Sequence, residues 1–362
     1  MRHLPALLLT LTTASALHAQ ETLRFREPGK NPDVEGEIVS LSYKTVEIVS
    51  GGVKQPIDAR RVAEILPSAS RKTPDYAKGE EALANGSFAA ATERFERVAT
   101  DARAPESLKQ LAAVLRVRCA ASSGDDAGVV QAAQVLRARK PDSFFLRESY
   151  EREVHAHLAL GNGGGAAAAI QAFSALAVAN GFAEWSKAAD LLQAAVAENQ
   201  NNWRGALGIF RKYIRDSEIG ETAALGEMRT LTALADWPGL GAVADAHLKD
   251  SMGKRDFPPR ILIASSTAKG DVDAGGGKLK DALLNYLQGA MVLNKGAQSP
   301  EHETAVAKSS LTCAKLCAAE RDAPKRARFL AQATEMQAEL VKSYPRSRYR
   351  SEVEDAIKKL RR

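Results

Sequence analysis

Cysteine is nearly absent from this chain of 362 residues: Cys119, Cys313 and Cys317 are the whole supply. Three thiols without a repeated spacing exclude a disulfide framework, and the four-residue step from Cys313 to Cys317 in a helical run would strain a bridge. Cys313 and Cys317 are expected to be small buried core thiols, with pairing as the alternative in an oxidising compartment. Aromatics are also scarce, 6% of residues within an apolar fraction of 45%. That balance suits closely packed Ala- and Leu-rich helices and disfavours a β-sandwich or a deep cofactor pocket. No strong charge of one sign is present either. Fifty basic and 44 acidic side chains leave +6, interspersed except near the C-terminus. This reads as solubility and not as a nucleic-acid face. Beyond the first twenty residues no segment is apolar enough to span a bilayer.

Chemical motifs are incomplete wherever they begin. Ser266-Thr267-Ala268-Lys269 fits S-x-x-K, but the S-D-N and K-T-G companions of that mechanism do not occur. Gly275-Gly276-Gly277-Lys278 fails as a phosphate loop, because Val272 stands where Gly is required and Leu279 where Ser or Thr is. The glycines of 161–165 follow a helix and not a strand, so a dinucleotide reading lapses. His155 and His157 are two apart, whereas a zinc pair on a helix wants four. His247 falls in a packing position. Trp203 and Trp237 fall where packing aromatics are expected, and Trp185 has no assignment. The expectation is no enzyme: no catalytic residue, no cofactor, no metal.

What is present begins with an export pattern. Arg2 precedes an apolar run from Leu4 to Leu17, and Leu17-His18-Ala19 offers a cut before Gln20, so residues 1–19 are expected to be a cleaved signal peptide. The chain is therefore expected to be exported, periplasmic or extracellular, and no Cys stands at the cut to carry a lipid. Residues 22–67 then alternate apolar and polar side chains. Strands are predicted at 37–41, 46–49, 53–57 and 62–65, with a hairpin turn at Ser50-Gly51-Gly52 and a short turn or helix at 58–61. Four or five short strands make a small curled sheet or barrel whose order resembles SH3-like or Sm-like barrels. It is near the size limit for folding alone and is expected to lean on the helical remainder of the chain. Residues 68–75 read as a linker.

From Tyr76 to the end the sequence predicts helix after helix, with one skeleton recurring. Gly86-Ser87-Phe88 leads to Ala91, Phe95 and Val98; Gly124-Asp125-Asp126 to Val129, Ala133 and Leu136; Gly164-Gly165-Ala166 to Ala169, Phe173 and Leu176. Asn201-Asn202-Trp203 leads to Ala206, Phe210 and Tyr213; Ala235-Asp236-Trp237 to Leu240, Ala244 and His247; Gly277-Lys278-Leu279 to Ala282, Tyr286 and Gly289. Ala327, Ala331 and Thr334 suggest a degenerate seventh copy. Small and bulky residues share one helical stripe, and a pair of helices so built must stack on a neighbour. This resembles the tetratricopeptide (TPR) family, a helix–turn–helix repeat of about 34 residues, over 76–362. The helix near 350–360, apolar at Val353, Ile357 and Leu360 and charged opposite, is expected to cap the stack.

The resemblance implies a mainly α fold, a TPR-like α-solenoid of helical hairpins behind a small β-barrel-like domain. It also implies that function lies on the concave side, lined by the first helix of each pair. The inward candidates are Tyr76 and Glu80, Val114 and Arg118, Val154 and Leu158, Leu191 and Ala195, Leu225 and Arg229. Tyr76, Glu80, Arg118 and Arg229 are the candidate partner-binding residues, the two arginines as isolated cations. None of these pairs has the Lys and Asn with which some TPR proteins grip a terminal carboxylate. The leading expectation is a non-catalytic protein-interaction scaffold of the bacterial periplasm or envelope, with protein or peptide partners, no nucleic acid and no transmembrane segment. A cell-wall or glycan binder, or an enzyme with its site between β domain and solenoid, is the alternative.

Overall fold

The computed structural model describes residues 21–26, 33–254, 257–291 and 299–361. The expected signal peptide, residues 1–19, lies outside them. The chain divides into two compact units, Met1–Phe173 and Ser174–Arg362.

The first unit opens with five strands, β1 (Glu21–Phe25), β2 (Val34–Leu41), β3 (Thr45–Ser50), β4 (Val53–Asp58) and β5 (Val62–Leu66). They form one antiparallel sheet in the order β4-β3-β2-β1-β5. Alternation drives it: Leu23, Phe25, Ile38, Leu41, Val46, Ile48, Val62 and Ile65 are buried. Gly51 and Gly52 both take positive φ (57° and 79°), the backbone of a two-residue hairpin turn whose twist matches the flanking strands. A single 3-10 turn, Ala59–Arg61, separates β4 from β5, with Asp58 accepting from the Arg60 N–H. The strand that sequence reading did not locate is β1, and its first buried position, Glu21, is charged.

That charge fastens the sheet to the helices of the same unit. Glu21 is 1% exposed; it accepts from the Ile38 N–H at 2.7 Å and from the Ser107 hydroxyl at 2.5 Å. Gln110 adds a second tie. Its Nε2 donates to the Leu41 carbonyl at 2.9 Å, while its Oε1 accepts from the Ser143 hydroxyl and the Phe144 N–H. A sheet too small for a core of its own thus borrows one.

Helices follow in pairs. They are α1 (Pro74–Ala84) with α2 (Phe88–Thr100), α3 (Glu106–Ser123) with α4 (Asp126–Arg139), and α5 (Leu146–Ala159) with α6 (Gly163–Asn180). The second unit continues with α7 (Ala183–Asn199) and α8 (Trp203–Tyr213), α9 (Gly220–Ala233) and α10 (Trp237–Ser251), α11 (Pro259–Gly275) and α12 (Leu279–Met291), then α13 (Pro300–Ala319) and α14 (Ala323–Ser343). Helix α15 (Arg350–Leu360) ends it, burying Val353 and Ile357 as its amphipathic spacing requires. The fold is a TPR-like α-solenoid of helical hairpins behind a small N-terminal sheet. No helix among the described residues is long and apolar enough to cross a membrane.

The recurring stripe is the seam of each hairpin. Ala91, Phe95, Ala133, Phe173, Ala206, Phe210, Ala244, Ala282 and Tyr286 are all at most 4% exposed. Close approach explains the small partners: a Cβ on Gly79 would lie 2.8 Å from the Phe95 ring, and those on Gly226 and Gly270 would collide with Phe210 and Tyr286. The seventh copy differs in register from the sequence reading. Ala327 and Ala331 are exposed, and the buried stripe of α14 is Ala333 and Leu340. The buried face of this 21-residue helix runs through Phe329, Leu330, Ala333, Met336 and Leu340, and Ala327 and Ala331 are turned away from it.

Turns inside the hairpins share a second pattern. A left-handed residue precedes an Asp or Asn that caps the next helix, and a glycine three residues on donates the N–H: Asp125 to Gly128, Asn162 to Gly165, Asn202 to Gly205, Asp236 to Gly239. Ala235 holds the left-handed position at φ 52°, where other copies use Gly124 or Gly161. A Cβ there is strained. Ala235→Gly is therefore expected to stabilise the second unit by about 0.5–1 kcal/mol, read as a higher urea midpoint.

Candidate functional site

In the second unit the first helices of successive hairpins pack side by side: α9 against α11, α11 against α13, α13 against α15. They leave a groove of about 280 Å³ between them. One face of α9 supplies Leu225, Met228, Arg229 and Thr232, and α11 supplies Ala264, Thr267, Ala268 and Asp271. Helix α13 adds Pro300, Glu301, Thr304 and Lys308, and the corner before α15 adds Arg348 and Tyr349. Steps of three and four put each set on a single helical face.

The groove has an apolar floor and a charged rim. Lys308 Nζ reaches both oxygens of Asp271 (2.6 and 2.7 Å), and the Tyr286 hydroxyl donates to the same carboxylate at 2.7 Å. Burial, reinforced by Asp271, pushes the Tyr286 phenol far above its ordinary range. Glu301 is held by Arg260 at 2.9 and 3.0 Å. Burial alone would raise its pKa, but the guanidinium outweighs that and holds the carboxyl below its usual range. Arg348 differs: it donates to the Tyr349 hydroxyl at 2.6 Å, its guanidinium lies 4.7 Å from that ring, and it has no acidic partner among the described residues.

A buried histidine fixes this corner. His302, 6% exposed, sits 2.7 Å from the Tyr344 hydroxyl through Nδ1 and 2.9 Å from the Ala290 carbonyl through Nε2. A carbonyl only accepts, so Nε2 donates to Ala290, and Nδ1 shares a hydrogen bond with the Tyr344 hydroxyl. The ring thereby ties the start of α13 to the segment that presents Arg348 and Tyr349.

Of the residues singled out from sequence, Arg229 lines this groove beside Leu225. It is not isolated, since it grips Glu198 with two nitrogens at 2.9 and 2.7 Å. Arg118, in the first unit, pairs likewise with Glu148 at 2.8 and 2.7 Å. The expectation of isolated cations is corrected for both: each guanidinium neutralises a partly buried glutamate on a neighbouring helix. Tyr76 is 2% exposed and meets Phe95 edge-on, with centroids 5.6 Å apart, so its ring is core. Glu80 pairs with Lys72 at 2.7 Å. Sequence reading missed the α11 and α13 lining, although Ala264 and Ala268, and Thr304 and Lys308, continue the same four-residue step.

Nothing in the groove assembles a nucleophile with its base. The Ser266 hydroxyl is buried without a hydrogen-bond partner, and Lys269 is ion-paired to Asp245 at 2.9 Å, so the S-x-x-K residues do not meet. Cys313 and Cys317 are buried free thiols, and burial pushes Cys313 up to about 12. No group of three or more metal-ligating side chains occurs among the described residues. Trp185 is buried, edge-on to Phe182 at 5.1 Å, and Trp203 and Trp237 are half-buried.

Two solved structures show a distant similarity to the chain. One is the C-terminal part of a TPR repeat-containing protein from Cytophaga hutchinsonii, 13% identical, covering 77% of this chain and 98% of its own, with a TM-score of 0.39. The other is PilW, a widely conserved type IV pilus biogenesis factor, 14% identical, covering 77% and 96%, with a TM-score of 0.33. At those scores the fold rests on the hairpins themselves. No family model matches the chain. No curated relative matches its sequence.

Proposed function

We propose that the chain is a non-catalytic protein-interaction scaffold of the bacterial periplasm or envelope, which holds a segment of a partner protein in the groove of α9, α11 and α13. The observation that carries this is the groove's make-up. Leu225 and Met228 of α9 with Ala264 and Ala268 of α11 form an apolar floor, α13 adds a mostly polar wall, and most rim charges are already paired. Such a trough, about 280 Å³ and open to solvent, receives side chains of a passing segment. Export rests on the pattern of the first twenty residues. The sheet is read as an SH3-like or Sm-like unit from its strand order and the 3-10 turn before β5. A glycan platform draws no support from the rings, since no aromatic side chain among the described residues is exposed.

Thr304 lines the groove half-exposed, and a bulky ring there fills the trough without entering the core. In a pull-down from periplasmic and envelope fractions, the wild-type chain is expected to retain a partner that Thr304→Trp loses at least tenfold. A cross-linker at position 304 should map to the same partner. Equal capture by both chains, with the helical circular dichroism unchanged, sinks the groove as the binding site.

A further inference from the structure

A second surface of the same unit is marked by cations that outnumber the acids between them and, among the described residues, form no ion pair. Lys280 opens α12, Lys315 is near the end of α13, and Arg321, Lys325, Arg326 and Arg328 run from the α13–α14 turn into the first two turns of α14. All six are exposed, and none is ion-paired among the described residues. Two of the acids beside them, Glu320 and Asp322, accept from backbone N–H groups. Glu320 accepts from the Arg321 and Asp322 N–H groups at 3.0 and 3.1 Å, and Asp322 caps α14 through the Lys325 N–H at 3.0 Å. Lys325 and Lys280, from successive hairpins, both act on the Glu320 carboxylate, so the two tips adjoin.

From Lys280 an exposed stripe runs along α12. Leu284 is 68% exposed and Met291 69%, and positions 280, 284 and 291 share a face by helical spacing. An apolar stripe that begins one turn from Lys280 matches a bilayer interface, where headgroups take the cations and acyl chains the apolar side chains. A single-stranded nucleic acid would instead want exposed aromatic rings to stack its bases, and none is exposed among the described residues.

We propose that the tips of the α11–α12 and α13–α14 hairpins, with the Leu284–Met291 stripe, dock the protein on a membrane surface rich in anionic phospholipid headgroups. The site is separate from the groove and stands whether or not the groove binds a partner. Each cation near such a surface contributes about fivefold to partitioning.

Sedimentation of the full chain with vesicles tests it. Binding is expected to phosphatidylglycerol-containing vesicles and not to pure phosphatidylcholine, weakening with salt. The triple variant Lys325→Glu/Arg326→Glu/Arg328→Glu should lose at least about a hundredfold in partitioning. Leu284→Ser/Met291→Ser should lose severalfold, mostly in what persists at high salt. Thr304→Trp should bind vesicles like wild type, which separates this proposal from the groove. All replaced side chains are solvent-facing, so unchanged circular dichroism and thermal midpoints certify the fold. Equal binding to neutral and anionic vesicles overturns the proposal, as does a triple variant that binds like wild type. Tighter binding to poly-glutamate or an oligonucleotide than to anionic vesicles, at the same salt and total charge, overturns it too, and assigns the patch to an acidic macromolecule.

Discussion

Phe95→Ala is expected to destabilise the first unit by about 3–5 kcal/mol. The ring is fully buried, Tyr76 meets its edge, and Gly79 faces it with no side chain to move into the space. The hole therefore cannot close, and the cavity cost adds to the lost transfer energy. Phe95→Leu, which keeps most of the volume, should cost about 1.5 kcal/mol or less. Urea unfolding followed by helical circular dichroism checks both values. A loss under about 1 kcal/mol for the alanine, far below the cost of a persistent cavity, would mean that the small-against-bulky seam does not hold the hairpin together.

Arg137→Ala should cost a similar amount for a different reason. Glu153 is 2% exposed on α5; Arg137, from α4, ion-pairs with it at 2.6 Å, and Gln134 donates to it at 3.2 Å. The guanidinium also lies 4.3 Å from the Tyr150 ring centre. Removing it strands a charge in the core, worth about 3–5 kcal/mol. The double change Arg137→Met/Glu153→Leu removes both charges while keeping volume, and should recover most of the loss. If the single variant unfolds at the wild-type urea midpoint, Glu153 has another counter-charge and the pair is incidental.

The hairpin seam was legible because it repeats: Ala91 with Phe95 and Ala206 with Phe210 show the same spacing, and one stripe predicts the next. Register in α14 was not legible, since Ala327 and Ala331 have the right sizes but lie off the face that Phe329, Leu330, Ala333 and Leu340 bury. Strand β1 escaped because Glu21 breaks the apolar alternation, and its charge makes sense only beside Ile38 and Ser107. The groove was half legible. Leu225 and Arg229 follow from first-helix spacing, but Arg348 and Tyr349 reach it through the fold of the 344–349 corner, which no local pattern encodes. Tyr76 misled because a first-helix tyrosine satisfies both an inward and a core position by periodicity. Arg118 and Arg229 looked unpaired because Glu148 and Glu198 are 30 and 31 residues away in sequence.

Gln110 has a consequence for how the first unit comes apart. One amide closes hydrogen bonds to β2 on one side and to the α4–α5 connection on the other, so neither can open without stranding polar atoms inside the protein. Strands and hairpins there should melt in a single cooperative step, with slow amide exchange spreading from α3 into the sheet.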